Sequence, residues 1–288
     1  MPLFGVHESI ADGFDQAVRH AVMNGFDSVQ IFSKNSNCWS AKPIAPEAAE
    51  SFRKALDETG CRKPVIHDSY LINPASPNDE LRMKSVNALI DELNRADTLG
   101  VAGVVMHPGA YTTGTEESGL RLVSESLDQV FESAAPSAQI YLETTAGQGT
   151  CLGSRFEHLA KIIELSRFPE RLAVCLDTCH IFAAGYDFRT QEMYDKMMAE
   201  FDAVIGIDRL KAFHLNDSVK GCASRVDRHA AIGYGEIGKE PFGFIVNDPR
   251  FAELPMILET PKGNVEIDGI PEEWDTVNLR TLRELINA

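Results

Sequence analysis

The fold is decided by the stretch LAVCLDTCH, residues Leu172–His180. It begins as a short apolar run around β-branched Val174 and ends in polar residues, which predicts a buried parallel strand. Asp177 closes the strand and His180 follows it; carboxylates and imidazoles are both good zinc ligands. Taken alone, Asp177 also suits a helix N-cap and His180 a structural histidine. The interpretation therefore depends on whether the same design recurs.

The same pattern does recur along the chain: eight short apolar runs alternate with helix-length segments. The predicted strands are Leu3–Val6, Ser28–Phe32, Pro64–Ile66, Gly103–Met106, Gln139–Leu142, Leu172–Leu176, Leu210–Phe213 and Pro255–Leu258. The predicted helices are Gly13–Asn24, Glu47–Thr59, Asp79–Leu99, Gly119–Ser133, Ser154–Ser166 and Thr190–Ile205. This alternation favours an α/β fold, a closed (β/α)8 TIM barrel, over its competitor, a doubly wound open sheet. With no linker in the sequence, we expect a single domain over residues 1–288.

The composition is that of an acidic globular protein. The 288 residues are 44% hydrophobic and 24% charged, and the formal net charge is −16. No apolar run reaches the roughly 18 residues of a membrane span, and the N-terminus does not resemble a secretory signal, so we expect a cytoplasmic protein. The six cysteines form no Cys-x-x-Cys pair, which predicts reduced thiols rather than a thiolate zinc site. The net charge opposes nucleic-acid binding by overall charge but allows a locally positive cleft.

A histidine or a carboxylate ends nearly every predicted strand. These residues are His7, His67, His107, Glu143, Asp177, His214 and Glu259. Only the second run, which continues into Ser33-Lys34-Asn35, lacks one. Three more residues of these types follow in loops: His180, Asp227 and His229. Because strand C-termini share one face of a barrel, the side chains are expected to converge on one cleft there, which would be the active site.

Such a convergence of acids and histidines requires positive charge, since otherwise like charges would repel and lose their hydration. Imidazoles and carboxylates without thiolates suit zinc, manganese or iron better than calcium or magnesium. The set is too large for one tetrahedral ion, which predicts a site for two or three metals. His20 and His158 lie in predicted helices and are interpreted as non-ligands, whereas His7 is expected to support a ligand.

Several motifs resemble the endonuclease IV family of apurinic/apyrimidinic (AP) endonucleases. They occur in the family's order, at His67–Asn73, Met106–Gly109, Leu142–Gly149, Leu176–Asp187, His214–Ser218, Asp227–His229 and Ile257–Thr260. The resemblance implies a (β/α)8 barrel, in agreement with the strand pattern. It also implies that the protein, as a monomer, acts on double-stranded DNA containing abasic sites or blocked 3′ ends. The phosphodiester 5′ to the abasic site would be hydrolysed to leave a 3′-hydroxyl, and blocked 3′ ends would be trimmed.

The resemblance further implies three zinc ions per chain, with manganese or iron as substitutes. The implied ligands are His67, His107 and Glu143 for the first ion, Glu143, Asp177, His214 and Glu259 for the second, and His180, Asp227 and His229 for the third. Glu143 would bridge the first two ions. Glu143 and Glu259 are also the expected catalytic carboxylates, because either can orient the attacking water as well as bind metal.

Loops beyond the strands are expected to contact the DNA. By the resemblance, Tyr70 and Leu71 enter the duplex at the lesion, where a missing base lowers the cost of unstacking. The residues alone would favour a packing role for this pair. Gln148 is expected to approach the backbone closely. The expected phosphate contacts are Lys211, Lys220, Arg225 and Arg228.

A second loop, Lys34–Trp39, matches a DNA-contact loop of the family at Lys34, Asn35 and Trp39. It departs in the middle, where Asn37 and Cys38 replace the long polar side chains that the family pattern leads us to expect. Asn35 is retained as a predicted contact. An intercalating side chain from this loop is not predicted.

Two other functions stay open. A sugar isomerase or epimerase would use a related barrel with one or two metals ringed by similar ligands. A non-catalytic protein that binds DNA lesions is the second alternative. The separate Asp227-x-His229 pair favours the nuclease over the isomerase, and the intact ligand set disfavours the binding protein.

Overall fold

The structure, a computed structural model, describes residues 2–286 and contains a closed barrel of eight parallel strands. The strands are β1 (Leu3–Glu8), β2 (Ser28–Phe32), β3 (Val65–His67), β4 (Gly103–Met106), β5 (Gln139–Glu143), β6 (Leu172–Asp177), β7 (Leu210–His214) and β8 (Pro255–Leu258). They pair in chain order, and β1 closes the ring by pairing with β8. The predicted (β/α)8 barrel is confirmed, and the open sheet is excluded because such a sheet would leave two edge strands unpaired.

Helices surround the barrel and bury their apolar faces against it. They are α1 (Phe14–Met23), α2 (Pro46–Thr59), α3 (Asp79–Leu99), α4 (Glu116–Ser133), α5 (Phe156–Leu165), α6 (Thr178–Ala184), α7 (Gln191–Val204), α8 (Glu240–Val246) and α9 (Trp274–Glu284). The six predicted helices are present with small shifts; α4 starts at Glu116 because Thr115 and Ser118 form a capping box. The sequence pattern does not predict α6, α8 or α9. Since α6 and α8 have seven residues each, they are too short to show a clear helical period.

The alternation of side chains along each strand explains why the ligand types face one another. An apolar layer fills the barrel interior, formed by Val65, Val105, Tyr141, Ala173, Cys175, Ala212 and Ile257. Successive strand residues point to opposite faces, so the residue two positions further along points inward again. That residue is His67 after Val65, Glu143 after Tyr141 and Asp177 after Cys175. The apolar layer therefore forms the floor of a polar layer at the C-terminal mouth.

Two glycines make room for the large members of this apolar layer. A Cβ atom on Gly103 would lie 2.2 Å from ring carbons of Tyr141, and one on Gly5 would lie 2.4 Å from Cδ1 of Ile257. Real Cβ atoms do not approach other atoms so closely. A glycine on one strand thus makes room for a large inward-facing side chain on the strand paired with it, beneath the site.

Two antiparallel ribbons extend the barrel at the same end. Asp217–Ser218 pairs with His229–Ala230, which holds the segment containing Asp227 and His229 over the mouth. Asn264–Ile267 pairs with Ile270–Glu273 in a hairpin between β8 and α9. Within the described residues, no helix combines the length and apolar character that crossing a membrane requires.

Candidate metal centre

The predicted ligands converge in three groups at the mouth of the barrel. They are His67, His107 and Glu143; Glu143, Asp177, His214 and Glu259; and His180, Asp227 and His229. Within each group the donor atoms lie within 4.8 Å of one another. The grouping reproduces the three ligand sets implied by the family resemblance. The strands bring these residues together from positions almost 200 residues apart in sequence.

Glu143 joins the first two groups through different oxygens of one carboxylate. Its Oε2 lies 3.2 Å from Nε2 of His67 and 3.1 Å from Nε2 of His107. Its Oε1 lies 2.9 Å from Nδ1 of His214. The two oxygens thus point to different histidine sets, which is the geometry that a carboxylate bridging two cations would need.

Asp177 acts both as a helix cap and as a member of the second group. Its Oδ1 accepts a hydrogen bond of 2.8 Å from the backbone N–H of His180 and so caps α6. Its Oδ2 lies 3.8 Å from Nδ1 of His214, and Glu259 Oε2 lies 3.1 Å from the same nitrogen. The N-cap interpretation of Asp177 is therefore confirmed for Oδ1, and Oδ2 faces His214, where the ligand role stays a prediction.

The third group lies where the ribbon segment crosses α6. Asp227 Oδ2 lies 3.2 Å from Nε2 of His180, and Asp227 Oδ1 lies 3.4 Å from Nε2 of His229. Nε2 of His229 is buried and has no hydrogen-bond partner within residues 2–286. A buried polar atom without a partner is unfavourable, and a metal ion coordinated by this nitrogen would remove that penalty. The donor set and this orphaned nitrogen both fit a metal.

Hydrogen bonds on the far side of each ring set its orientation. Nδ1 donates to a backbone carbonyl in three histidines: His67 to Asp68 at 3.0 Å, His180 to Thr144 at 2.8 Å and His229 to Glu259 at 3.1 Å. In a neutral ring these bonds place the hydrogen on Nδ1, so that the lone pair of Nε2 faces the carboxylates. Metal-binding histidines are held in this way, which raises the basicity of the ligating nitrogen.

Gln30 orients His214 through Nε2 of the ring, whereas the other three rings are held through Nδ1. The sequence analysis did not assign Gln30 a role. Its Oε1 accepts from Nε2 of His214 at 2.8 Å, and its Nε2 donates to Oε1 of Glu259 at 2.5 Å. The second strand, which ends without a ligand-type residue, therefore contributes a supporting side chain from its interior. Gln30 is an inward-facing position within β2 rather than at its end, and a glutamine inside the apolar run Ser28–Phe32 was the available signal.

We expect Gln30→Met to weaken zinc binding by the second group about 10–100-fold, a loss typical of a removed supporting hydrogen bond. Methionine keeps the side-chain length but neither fixes the tautomer of His214 nor holds Glu259. Competition for zinc against a chelator of known affinity measures the change. Gln129→Met, on the exposed face of α4, is the matched control. Equal zinc affinity of the two variants would contradict the role of Gln30.

Asn216 is a second supporting residue that sequence reasoning missed. Its Nδ2 donates to Oδ2 of Asp177 at 2.7 Å, and its Oδ1 accepts from the backbone N–H of Glu259 at 2.9 Å. It is fully buried. Asn216 therefore ties the end of β6 to the residue that follows β8, which fixes the spacing of two ligands.

Opposite charges are paired within this cluster. Burial disfavours the charged form of Glu143, but the charges of His214 and His107 hold the pKa of its carboxyl well below the ordinary range. Burial also opposes protonation of His180, but the charge of Asp177 and a hydrogen bond to Asp227 raise the pKa of its ring well above the usual value. Paired charges of this kind indicate a site built for cations.

Cys179 lies beside the third group, where its sulfur, Asp177 and His229 approach one another within 4.8 Å. Burial and the charge of Asp177 raise the pKa of this thiol to about 12. Its sulfur contacts the carbonyl oxygen of Arg228 at 3.7 Å. Burial therefore disfavours the thiolate form of Cys179, and the expectation of a site without thiolate ligands stays a prediction.

Two of the predicted DNA-contact residues, Tyr70 and Gln148, lie beside the predicted metal ligands. Tyr70 is 66% exposed, Leu71 is half-buried, and Gln148 and Arg228 are exposed. Tyr70 and Gln148 line a cavity of about 260 Å³ together with His67, His107, His180 and Asp227. The ring of Tyr70 packs edge-on against Phe32 at 5.4 Å between centroids. Tyr70 is therefore not the buried packing residue of the alternative interpretation, although one side of its ring is supported by Phe32.

Lys34 does not present its ammonium group to a ligand, although its loop matches a DNA-contact loop. It is 4% exposed and forms ion pairs with Glu92 and with Asp91, the latter at 3.1 Å. Asn35, which follows it, is exposed, and its Oδ1 accepts from the backbone N–H of Asn37 at 2.9 Å. Lys34 therefore anchors the loop to α3, and Asn35 shapes the turn.

Known proteins resemble this chain over its whole length. Residues 18–285 match the family described as xylose isomerase-like TIM barrels. A probable endonuclease 4 of Chloroflexus aurantiacus is 52% identical, covering 100% of this chain and 99% of its own. One of Geobacter sulfurreducens is 48% identical, with coverage of 98% and 94%.

Solved structures show the same architecture. Endonuclease IV from Thermus thermophilus superposes with a TM-score of 0.85 at 37% identity, covering 99% of this chain and 98% of that one. A D-tagatose 3-epimerase-like protein superposes with a TM-score of 0.69 at 20% identity, covering 99% of this chain and 97% of that one. At that identity the second match shows a shared fold only.

Proposed function

This chain belongs to the endonuclease IV family of xylose isomerase-like TIM barrels, and we propose that it is a metal-dependent AP endonuclease. It hydrolyses the phosphodiester on the 5′ side of an abasic site in double-stranded DNA, leaves a 3′-hydroxyl and trims blocked 3′ ends. It acts as a monomer. The observation that carries the proposal is the arrangement of three donor groups at the barrel mouth, two of them joined by the oxygens of Glu143.

Three zinc ions are the cofactors in this proposal, with manganese or iron as substitutes. The residues that would hold them are the three groups described above. When bound, such ions lower the pKa of a water and neutralise negative charge on a phosphate. The set of histidines and carboxylates favours zinc over the hard ions calcium and magnesium.

The exposure of the two proposed catalytic carboxylates supports different roles for them. The side chain of Glu143 is 1% exposed, and its oxygens face histidines on both sides. The side chain of Glu259 is 17% exposed at the edge of the cleft. Glu259 is therefore better placed to orient the attacking water, while Gln30 holds its Oε1 atom. Glu143 acts chiefly as the bridging ligand.

The alternative functions have less support. An epimerase needs fewer metals, and the third donor group on the ribbon would have no task in it. A non-catalytic DNA-binding protein would not need nine ligand residues around one cleft. The exposed Tyr70 next to the first cavity suits insertion into a duplex rather than the enclosure of a sugar.

Incision of an abasic duplex tests the function directly. The zinc-loaded protein is incubated with a labelled duplex carrying one abasic analogue, and a polymerase then tests whether the product has an extendable 3′-hydroxyl. We expect a single cut on the 5′ side of the analogue and extension of that end. The matched duplex without a lesion should stay intact. Cutting on the 3′ side, or equal cutting of both duplexes, would contradict the proposal.

Tyr70→Ala is expected to weaken binding to the abasic duplex by about 1–3 kcal/mol, the size of one lost stacking contact. Phe32 supports the exposed ring from one side, so its other side is available to the DNA. Binding is titrated with catalytically inactive protein, on abasic and intact duplexes. Asn37→Ala, in the neighbouring loop, is the control and should change little. A greater loss of binding for Asn37→Ala than for Tyr70→Ala would show that the inserted side chain was assigned to the wrong loop.

A further inference from the structure

The third donor group depends on a segment outside the barrel, unlike the other two groups. The residues of the first two groups lie at the ends of barrel strands or directly after them. Asp227 and His229 lie instead on the ribbon segment, which pairs with Asp217–Ser218 over only two residues on each strand. A two-stranded ribbon of this kind is marginally stable by itself. The geometry of the third group therefore requires a further attachment.

The side chain of Asp217 provides such an attachment, because its two oxygens accept four backbone N–H groups. The donors are Ser218 at 2.7 Å and Ile237 at 3.0 Å to Oδ1, and Gly233 at 3.0 Å and Gly235 at 2.9 Å to Oδ2. Three of these donors belong to residues 233–237, a turn that follows the ribbon strand His229–Ala230. Asp217 therefore binds the chain beyond His229 to the first strand of the ribbon.

The carboxylate of Asp217 is fully buried. Burial raises the pKa of Asp217 above its ordinary value, although the backbone hydrogen bonds act in the opposite direction. A buried carboxylate is unfavourable unless hydrogen bonds replace its lost hydration. The side chain and the 233–237 turn therefore stabilise each other, and a change in either should displace the other.

Gly235 shows how closely the turn approaches this carboxylate. A Cβ atom on Gly235 would lie 2.5 Å from Oδ1 of Asp217 and 2.4 Å from the backbone oxygen of Ser218. The backbone N–H of Glu236 donates to the same Ser218 oxygen at 2.7 Å. Because only glycine permits this approach, a substitution at Gly235 loosens the contact without altering Asp217.

The loop between the two ribbon strands is attached separately to α6. Its backbone N–H groups donate to carbonyl oxygens of that helix, from Ala223 to Phe182 at 3.1 Å and from Arg225 to Ala183 at 2.9 Å. These contacts hold the loop that leads to Asp227 on the helix that carries His180. The Asp217 contacts hold the chain that follows His229. The two ribbon ligands are thus fixed from opposite sides.

We propose that Asp217 is a positioning residue for the third metal site, where it holds His229 in place through the 233–237 turn. The inference rests on the proposed function, because it requires that all three donor groups bind metal. It predicts a selective defect. A protein without the Asp217 contacts keeps the first two ions, whose ligands stand at the barrel strands, and binds the third ion weakly.

Zinc titration of Asp217→Asn tests the selectivity. Asparagine keeps the shape, but its amide has one acceptor oxygen, so two of the four backbone N–H groups face an NH2 donor. In competition with a chelator of known affinity, we expect two ions to bind as in the wild type and the third to bind about 10–100-fold more weakly. Weakening of all three ions alike, or wild-type affinity for all three, would overturn the proposal.

Gly235→Ala displaces the same turn from the other side, and it should also weaken only the third ion. This second variant decides the outcome if Asp217→Asn does not fold, which thermal unfolding of both proteins shows. Asp202→Asn is the matched control, because Asp202 is an exposed carboxylate that accepts one backbone N–H, from Ile207 at 2.8 Å. It should bind three ions with wild-type affinity. Wild-type affinity of Gly235→Ala for all three ions would overturn the proposal.

Recovery at high zinc separates positioning from a general loss of structure. Because mass action can offset a weakened site, incision by Asp217→Asn should return to the wild-type kcat once free zinc saturates the third group. A loss of incision that saturating zinc does not restore would overturn the proposal. Fewer than three ions in the wild type would contradict the proposed metal centre and this inference with it. Three tight ions in both proteins would refute only the role of Asp217.

Discussion

Glu143→Gln is expected to reduce the single-turnover rate of incision by about 10³-fold, equivalent to about 4 kcal/mol, while DNA binding stays near that of the wild type. The amide keeps the shape of the side chain but removes the negative charge that two cations would share. It also replaces one carboxylate oxygen, which lies near a histidine nitrogen, by an N–H donor that cannot bind a metal ion. The loss therefore falls on the chemical step.

Rapid-quench measurement with enzyme in excess over abasic duplex separates that step from binding. Glu50→Gln, an exposed position on α2, makes the same chemical change away from the site and should cut at the wild-type rate. Metal content of Glu143→Gln is measured in parallel, because a bridge shared by two ions should also lower their occupancy. A wild-type single-turnover rate for Glu143→Gln would show that the bridging role is wrong.

Removal of the metals is expected to abolish incision, with a loss of at least about 10³-fold, because the residues of the cleft provide no other strong electrophile for the phosphate. Elemental analysis of protein purified without added metal should find roughly three ions per chain, mostly zinc. A stoichiometry of one or below would contradict the trinuclear proposal.

The metal-free protein should remain folded, because the histidines and carboxylates then pair with one another as the structure shows. Its thermal unfolding midpoint should lie below that of the zinc-loaded protein, since zinc binds only the folded state. Adding zinc should restore incision, whereas magnesium should not, because imidazole ligands suit it poorly. Full recovery with magnesium alone would show that the histidine groups are not the working site.

The amino-acid sequence by itself determined the barrel and the positions of the proposed metal ligands. Both depend on local signals. Apolar runs of strand length alternate with amphipathic segments, and a ligand type stands at the end of the run in cases such as His67, Glu143 and Asp177. Because side chains alternate along a strand and parallel strands end at one face, these local positions were sufficient to predict a common cleft.

Other features were decided only by the tertiary structure, because they arise from contacts between residues far apart in the chain. Gln30 supports Glu259 across a separation of 229 residues, and nothing near Gln30 in the sequence indicates that partner. The sequence motif placed Lys34 in a DNA-contact loop, but in the structure its ammonium group forms ion pairs with Asp91 and Glu92 of α3. Burial also left one oxygen of Glu8 without a hydrogen-bond partner within residues 2–286, while its other oxygen lies 3.0 Å from Nδ1 of His20 on α1. Hydrogen bonding and desolvation depend on three-dimensional neighbours, whereas strand periodicity depends on the chain alone.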